Sequence, residues 1–357
     1  MSVTTAGVVP YTLARRGVVM SPDPESADER EGVLNPGSGR TSDGRLWLLP
    51  RLVSAGNVSK VGLAELIVRD GVPVGVRRDG VVLAPEASWE RASNHAGVED
   101  PRVTWIPSLG LHVMAYVAFG PLGPRAATAV SQDLRTWRRL GPIHFEYEPG
   151  LDCDLNLLPN KDVVYFPEPV TGPDGRPAYA VLHRPMWDVG MVIGGSELVL
   201  PAGLTDLRPG IWISYTPVDA ARQDPRSLAQ VHGHRLVALP EFDFESAKIG
   251  AGPPPLRVPQ GWLVLHHGVS GAIQPGWGPQ PNVRYSAGAM LLDHDAPDVV
   301  LARTSVPLLE PELPEETAGL VPNVVFPTAI EEIEGTRFVF YGMADSKIGV
   351  AVLEEVR

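Results

Sequence analysis

Ala127-Thr128-Ala129-Val130-Ser131-Gln132-Asp133-Leu134, with Trp137 three residues on, reads as an apolar strand that runs into a Ser/Asp turn leading to the next strand. The same grammar recurs along the chain. Gly62-Leu63-Ala64-Glu65 leads to Arg69-Asp70-Gly71, and Ile211-Trp212-Ile213-Ser214-Tyr215 is a third copy. Ser286-Ala287-Gly288-Ala289-Met290-Leu291-Leu292-Asp293 is a fourth, and Asp345-Ser346-Lys347-Ile348-Gly349-Val350-Ala351-Val352 closes the series. Five copies at irregular spacing predict an all-β chain folded as a five-bladed β-propeller, four strands to a blade. Residues far apart in sequence then converge on one axial site.

The segments between the copies agree. Leu46-Trp47-Leu48-Leu49, Val113-Met114-Ala115-Tyr116-Val117-Ala118 and Val163-Val164-Tyr165-Phe166 have strand length and composition, and Gly, Pro, Asn and Asp punctuate them. No amphipathic helix of three turns is legible; Leu313 to Gly319 is at most a short one. Residues 1–32 mix Ser, Pro, Asp, Glu and Arg and read as a loosely ordered N-terminal arm, Ser21-Pro22-Asp23-Pro24-Glu25 excluding helix and central strand. Order is expected from Leu34-Asn35-Pro36-Gly37, a turn signature, and residues 33–357 form one catalytic domain.

Composition narrows the function. The 357 residues are 44% hydrophobic and 20% charged, enough for a sizeable core. A net charge of -12 disfavours nucleic acid and anionic membrane as partners. The single cysteine, Cys153, excludes an internal disulfide and a multi-cysteine metal site, and reads as a small loop residue. With no signal-like start and no apolar run of spanning length, a soluble cytoplasmic protein is the default expectation.

Chemistry gathers where charged residues sit badly in strands. In Val98-Glu99-Asp100-Pro101-Arg102-Val103-Thr104, Pro101 pushes Asp100 out of the α region, so Asp100 reads as the last extended residue before a strand, at a sheet rim. Arg51, Lys161-Asp162, His183-Arg184, Lys248, His266-His267 and Asp345 stand at other strand boundaries. If Lys161, Arg184, Lys248 and His267 converge, an anion among them offsets the cost; phosphate or sulfate is the natural choice. Gly250-Ala251-Gly252 allows close backbone approach there. His266-His267 lacks zinc-motif spacing and its two rings face opposite sides, so no metal is assigned. A Ser-His-Asp hydrolase lacks its Gly-x-Ser-x-Gly elbow, and no P-loop is present.

These segments resemble the β-mannoside phosphorylases of glycoside hydrolase family 130. The resemblance rests on Val98-Glu99-Asp100-Pro101-Arg102, Lys161-Asp162 before Phe166-Pro167-Glu168, Leu182-His183-Arg184-Pro185, Lys248-Ile249-Gly250 with Pro253-Pro254, and His267-Gly268-Val269. Tyr285-Ser286-Ala287-Gly288, Asn323-Val324-Val325-Phe326-Pro327 and Tyr341-Gly342-Met343-Ala344-Asp345 extend it, in order, from about Asn35 to the C-terminus.

The resemblance implies a five-bladed β-propeller and a reaction in which inorganic phosphate, a co-substrate rather than a cofactor, attacks a β-1,4- or β-1,2-linked mannoside and releases α-mannose 1-phosphate with inversion. It implies Asp100 as the acid, its proton passing through a sugar hydroxyl. Lys161, Arg184, Lys248 and His267, with Tyr285 as a fifth, match phosphate-binding positions. Ser59 and Asp345, with Asn57 as a looser match, hold the mannosyl unit. An inverting hydrolase needs two carboxyls; an anionic nucleophile needs no base, so one acid and a cationic clamp suffice.

The partners implied are a β-mannoside oligosaccharide and phosphate, and a homo-oligomer is in keeping with relatives that associate. Lys161 departs from the family's frequent Arg and loses bidentate geometry; Pro169 stands where Lys is common. Trp187 and Trp277 are read equally as sugar platforms or packing residues. An inverting β-mannosidase and a non-catalytic carbohydrate-binding propeller are the alternatives; Lys248 and His267 argue against the first.

Overall fold

The computed structural model describes residues 8–187, 200–274 and 280–356. Strand β1 spans Tyr11–Met20. Five antiparallel meanders follow. The first is β2 (Gly32–Arg40), β3 (Leu46–Ser54), β4 (Val58–Arg69) and β5 (Val72–Leu83). The second is β6 (Ala96–Ile106), β7 (Leu111–Gly120), β8 (Gly123–Ser131) and β9 (Arg138–Pro142). After the two-residue β10 (His144–Phe145), the third comprises β11 (Asn160–Tyr165), the short β12 (Val170–Thr171), β13 (Pro177–Pro185), β14 (Ile211–Pro217) and β15 (Gln230–Ala238). The fourth comprises β16 (Lys248–Ala251), β17 (Leu256–Val258), β18 (Gly261–Gly271), β19 (Val283–Leu292) and β20 (Val300–Arg303). The fifth is β21 (Val325–Ile333), β22 (Thr336–Met343) and β23 (Lys347–Glu355). Among the described residues the α-helices are short, α1 (Val218–Gln223) and α2 (Pro314–Thr317).

The five sequence copies fall on β4, β8, β14, β19 and β23, each the third principal strand of its meander. Period-2 alternation assigns each strand's two faces to different cores. In β18, Trp262 and Val264 join the cluster shared with the third meander, whereas Leu263 and Leu265 join the one shared with the fifth. In β22, Val339 and Tyr341 face the fourth meander while Phe338 and Phe340 pack with Val33 and Leu48 of the first. Each meander thus shares one apolar cluster with its predecessor and one with its successor, the fifth packing on the first. The leading strands draw together: β2 lies beside β6 and β21, β6 beside β11, and β11 beside β16.

The N-terminal stretch departs from the sequence expectation. Tyr11–Met20, inside the segment read as a loose arm, is the fourth strand of the fifth meander, pairing antiparallel with β23 from Tyr11↔Glu355 to Met20↔Ile348. Thr12 and Arg16 face outward, while Tyr11, Leu13, Val19 and Met20 are buried. An edge strand alternating this way resembles a polar arm in composition alone. The Pro-containing Ser21–Glu25 does lie outside strands. Leu34-Asn35-Pro36-Gly37 is a bulge within β2 rather than a turn.

A carboxylate before each leading strand ties that meander's outermost strand. Buried Glu29, Glu90, Glu245 and Glu316 pair with Arg78 on β5, Arg139 on β9, Arg303 on β20 and Arg15 on β1. In the last three, Oε2 also accepts backbone N–H bonds from residues three and four positions earlier. In the third meander, Glu148 instead accepts the backbone N–H groups of Gly233 and His234 on β15.

Candidate active site

Three leading strands carry a bulge at the same end, each with a polar residue in the left-handed region. These are Asn35 (φ 41°) on β2, Asp100 (φ 48°) on β6 and Asp162 (φ 54°) on β11. A bulge re-aims the side chains around it, and Asn and Asp tolerate this conformation better than most residues. Asp100 is therefore not the extended residue before a strand. It lies inside β6, with Glu99 still in the ladder and the register shifting before Arg102. Pro101 does exclude right-handed helix, but the bulge resolves the constraint by the left-handed well.

The bulges bring the sugar-side residues onto one guanidinium. Arg51 donates through Nη1 to Asp100 Oδ1 at 3.1 Å, through Nη2 to Glu99 Oε1 at 2.9 Å, and through Nε to Ser59 Oγ at 2.9 Å. Nη2 also reaches Asn57 Oδ1 at 3.4 Å. Asn35 Nδ2 donates to the same Asp100 oxygen at 2.8 Å. Burial raises the Asp100 carboxyl, but Arg51, then Lys161 and Arg102, outweigh it and hold Asp100 below the ordinary aspartate range. Asp345 (φ 49°) goes the other way: burial, with Asp100 and Glu99 nearby, pushes it up to about 6 against the pull of Arg51.

The cationic side is built around Asp162. Arg184 Nε donates to Asp162 Oδ2 at 2.6 Å, His267 Nε2 lies 3.5 Å from that oxygen, and Arg102 Nη2 lies 3.9 Å from Oδ1. Burial opposes the Asp162 charge, yet Arg184, His267 and Arg102 hold it well below the carboxylate range. Lys161 and Arg184 are register partners on β11 and β13, and Lys161 Nζ reaches Glu99 Oε2 at 3.4 Å. Lys248 Nζ stands 5.5 Å from the Tyr285 ring centroid, and burial followed by Arg184 lowers it to about 7. Burial also keeps His267 neutral, its ring set between Phe326 at 4.3 Å and Tyr285 at 5.9 Å.

Among the described residues, buried Arg184 Nη1 and both ring nitrogens of His267 have no hydrogen-bond partner. Buried polar atoms of this kind are rare unless a ligand or water completes them. An oxyanion fits the set.

All nine residues singled out from sequence gather in this region. Asp100, Asn57, Ser59 and Asp345 surround Arg51; Arg184, Lys248, His267 and Tyr285 surround Asp162; and Lys161 stands between the two groups, its Nζ on Glu99. Asn35, Arg51, Glu99, Arg102 and Asp162 complete the geometry without having been assigned a role. The pre-proline polar residues Asn35 and Asp100 were the available signal. Gly250 has a different use from the one expected: a Cβ there would fall on Asp162 Oδ2 and 2.5 Å from His267 Cε1, so the glycine makes room for the protein's own pair. Trp187 is a core residue, 5.8 Å from Trp212 in an edge contact. Trp277 lies outside the described residues.

Among the described residues no group of three or more His, Cys, Asp and Glu is placed to hold a metal ion, and no helix is long and apolar enough to cross a membrane.

The comparisons with known proteins agree with one another. The chain is 30% identical over 345 residues to a 1,2-beta-oligomannan phosphorylase of Thermoanaerobacter sp., covering 94% of each chain. It is 32% identical to a beta-1,2-mannobiose phosphorylase of the same organism, covering 84% of this chain and 78% of that one. The fold matches the solved beta-1,2-mannobiose phosphorylase of Listeria innocua with a TM-score of 0.69 at 23% identity, covering 96% of this chain and 97% of that one. Residues 44–356 match the sequence profile described as beta-1,4-mannooligosaccharide phosphorylase, and the chain belongs to that family, glycoside hydrolase family 130.

Proposed function

We propose that this protein is an inverting glycoside phosphorylase that cleaves a β-mannoside with inorganic phosphate, on a five-bladed β-propeller whose blades are the five meanders. The observation that carries the reading is the buried carboxylate of Asp100 in the same region as buried polar atoms left unsatisfied on Arg184 and His267. The ring of shared apolar clusters supports the propeller, and the names of the relatives support the reaction.

In this reading Arg184, Lys248, Lys161 and His267 hold phosphate below the anomeric carbon, Tyr285 closing the pocket. Ser59, Asn57 and Asp345, with Arg51, hold the mannosyl ring. A phosphate oxygen forms the new C1–O bond as the glycosidic C–O bond breaks. The leaving oxygen takes a proton that Asp100 supplies through a sugar hydroxyl, and the proton that phosphate sheds on becoming an ester restores the balance. Asp100 is ionised in the free enzyme; the negative charge of bound phosphate raises its proton affinity when the proton is needed.

The test is incubation with β-1,2- and β-1,4-mannobiose with and without phosphate. Mannose 1-phosphate formed only with phosphate supports the reading. Free mannose in both conditions assigns an inverting β-mannosidase instead, and no turnover across a mannoside panel leaves a carbohydrate-binding propeller.

A further inference from the structure

The leading strands that bring residues to Asp100 run on to a second cavity of about 520 Å³ at their far ends. β2 supplies Asn35 to the first site and Ser38 to the second; β6 supplies Asp100 and then Trp105; β21 supplies Phe326 and then Glu331. Five residues of extended chain separate Asp100 from Trp105, roughly 15 Å. Side-chain bonds between neighbouring leading segments cross the space between them. Arg102 Nε donates to the Gly252 carbonyl at 3.2 Å, Thr104 Oγ1 to that of Tyr165 at 3.0 Å, and Thr328 Oγ1 to that of Pro36 at 2.7 Å.

The cavity has an apolar platform and a few polar groups. Trp105 is 44% exposed, and His112 braces its ring at 4.6 Å between centroids. Pro167, Pro254 and Pro255 add apolar lining. His112 is 2% exposed, and its Nδ1 has no partner among the described residues. Burial lowers this imidazole to about 4, so it stays neutral and Nδ1 is free to accept. Burial pushes the half-buried Glu331 carboxyl up to about 7, leaving it able to donate or accept. The Arg40 guanidinium is already bonded to the carbonyls of Gly44 and Glu332. An anion finds no uncommitted cation here, and a cation finds only one carboxyl. An uncharged ring with an apolar face and hydroxyls at its edge fits, and the volume lies in the range of small-ligand pockets.

We propose that this cavity is a second, non-catalytic oligosaccharide site, in which a pyranose ring lies on the indole of Trp105 and its hydroxyls bond Glu331 and His112. The choice of a mannosyl chain as occupant rests on the phosphorylase reading. The site tethers the enzyme to an oligosaccharide while the opposite mouth works on a chain end.

The test uses the full chain and β-1,2-mannotriose without phosphate, followed by calorimetric titration and tryptophan fluorescence. Two binding events are expected. Trp105→Ala removes one, weakening that site about tenfold or more, while kcat/KM for mannobiose phosphorolysis is retained. Trp105→Phe restores the event, and Glu331→Gln weakens it without loss of the aromatic platform. An isotherm unchanged by both Trp105→Ala and Glu331→Gln overturns the proposal. Trp105-dependent sugar binding in a protein without phosphorolysis sinks the catalytic reading and leaves this site standing; phosphorolysis with Trp105-independent binding does the reverse.

Discussion

Arg51 Nη1 lies 3.1 Å from Asp100 Oδ1, while its Nη2 holds Glu99 at 2.9 Å. The proposed acid therefore shares its guanidinium with a second carboxylate. Both carboxylates are largely buried, so the ion pairs are little screened by solvent, and Arg51 lowers the proton affinity of Asp100.

Arg51→Gln tests that coupling. Arg51 lowers the Asp100 carboxyl, so its removal raises it, and the limb of the kcat/KM profile that reports loss of the acid's proton moves to higher pH. Turnover falls as well, because Ser59 and Asn57 lose the group that holds them. Asp100→Asn removes the proton itself and lowers kcat by about 10³ on unactivated substrates, with the melting temperature little changed. A native-like rate for Asp100→Asn would remove it from the role of acid.

Lys248 provides a pH handle on the anion side. Its ammonium, lowered to about 7, is charged below that pH and neutral above it, so anion affinity falls as pH rises through 7. Sulfate keeps a constant charge over this range, and its inhibition constant against phosphate is the clean readout. It is expected to rise by about tenfold per pH unit above 7 where one proton governs binding. Lys248→Arg flattens that dependence, and Lys248→Ala raises the phosphate KM sharply at every pH. A sulfate inhibition constant flat from pH 6 to 9 in the native protein removes Lys248 from the clamp.

The parts of this protein legible in sequence are those that depend on local pattern. The copies mark the third strand of every meander because that strand is largely buried on both faces and so reads as a near-continuous apolar run. Lys161, Arg184, Lys248 and His267 announce themselves as charged or polar groups ending apolar runs. Asn35 and Asp162 carry no legible role in sequence because a bulge decides where they point, and a one-residue shift reverses the face that alternation assigns. Strand β1 was missed for another reason. Its partner is β23, and its anchor Glu316 lies 301 residues from Arg15, so no local window contains the pairing.

That anchor leads to a stability prediction. Glu316 is fully buried, bonded to Arg15 through both oxygens and to the Tyr341 hydroxyl at 3.0 Å. Arg15→Ala leaves its carboxylate buried without its cation, at a cost of about 3 kcal/mol or more. Deleting residues 1–20 removes the strand too and exposes the edge of β23. Urea unfolding should rank native above Arg15→Ala above the truncated chain, the last associating through the bare edge. A truncated chain as stable and monodisperse as the native one would restore the reading of this stretch as a loose arm.

Gly250 allows the clamp to be disturbed without removing any group that would touch phosphate. Its position beside Asp162 and His267 leaves no room for a methyl group, and Gly250→Ala forces both side chains aside. Arg184 follows, because its Nε is fixed by Asp162 Oδ2 at 2.6 Å. The sugar side is held separately, through Arg51, and keeps its arrangement. The expected outcome is an asymmetric loss: phosphate KM rises by about 10², while mannobiose binding measured without phosphate is unchanged. Gly150→Ala, where an added Cβ meets nothing within 4 Å, is the control and should leave both quantities as they are. Equal losses on the sugar and phosphate sides would mean that Gly250 supports the whole site, and that the separation of its two halves around Arg51 and Asp162 is wrong.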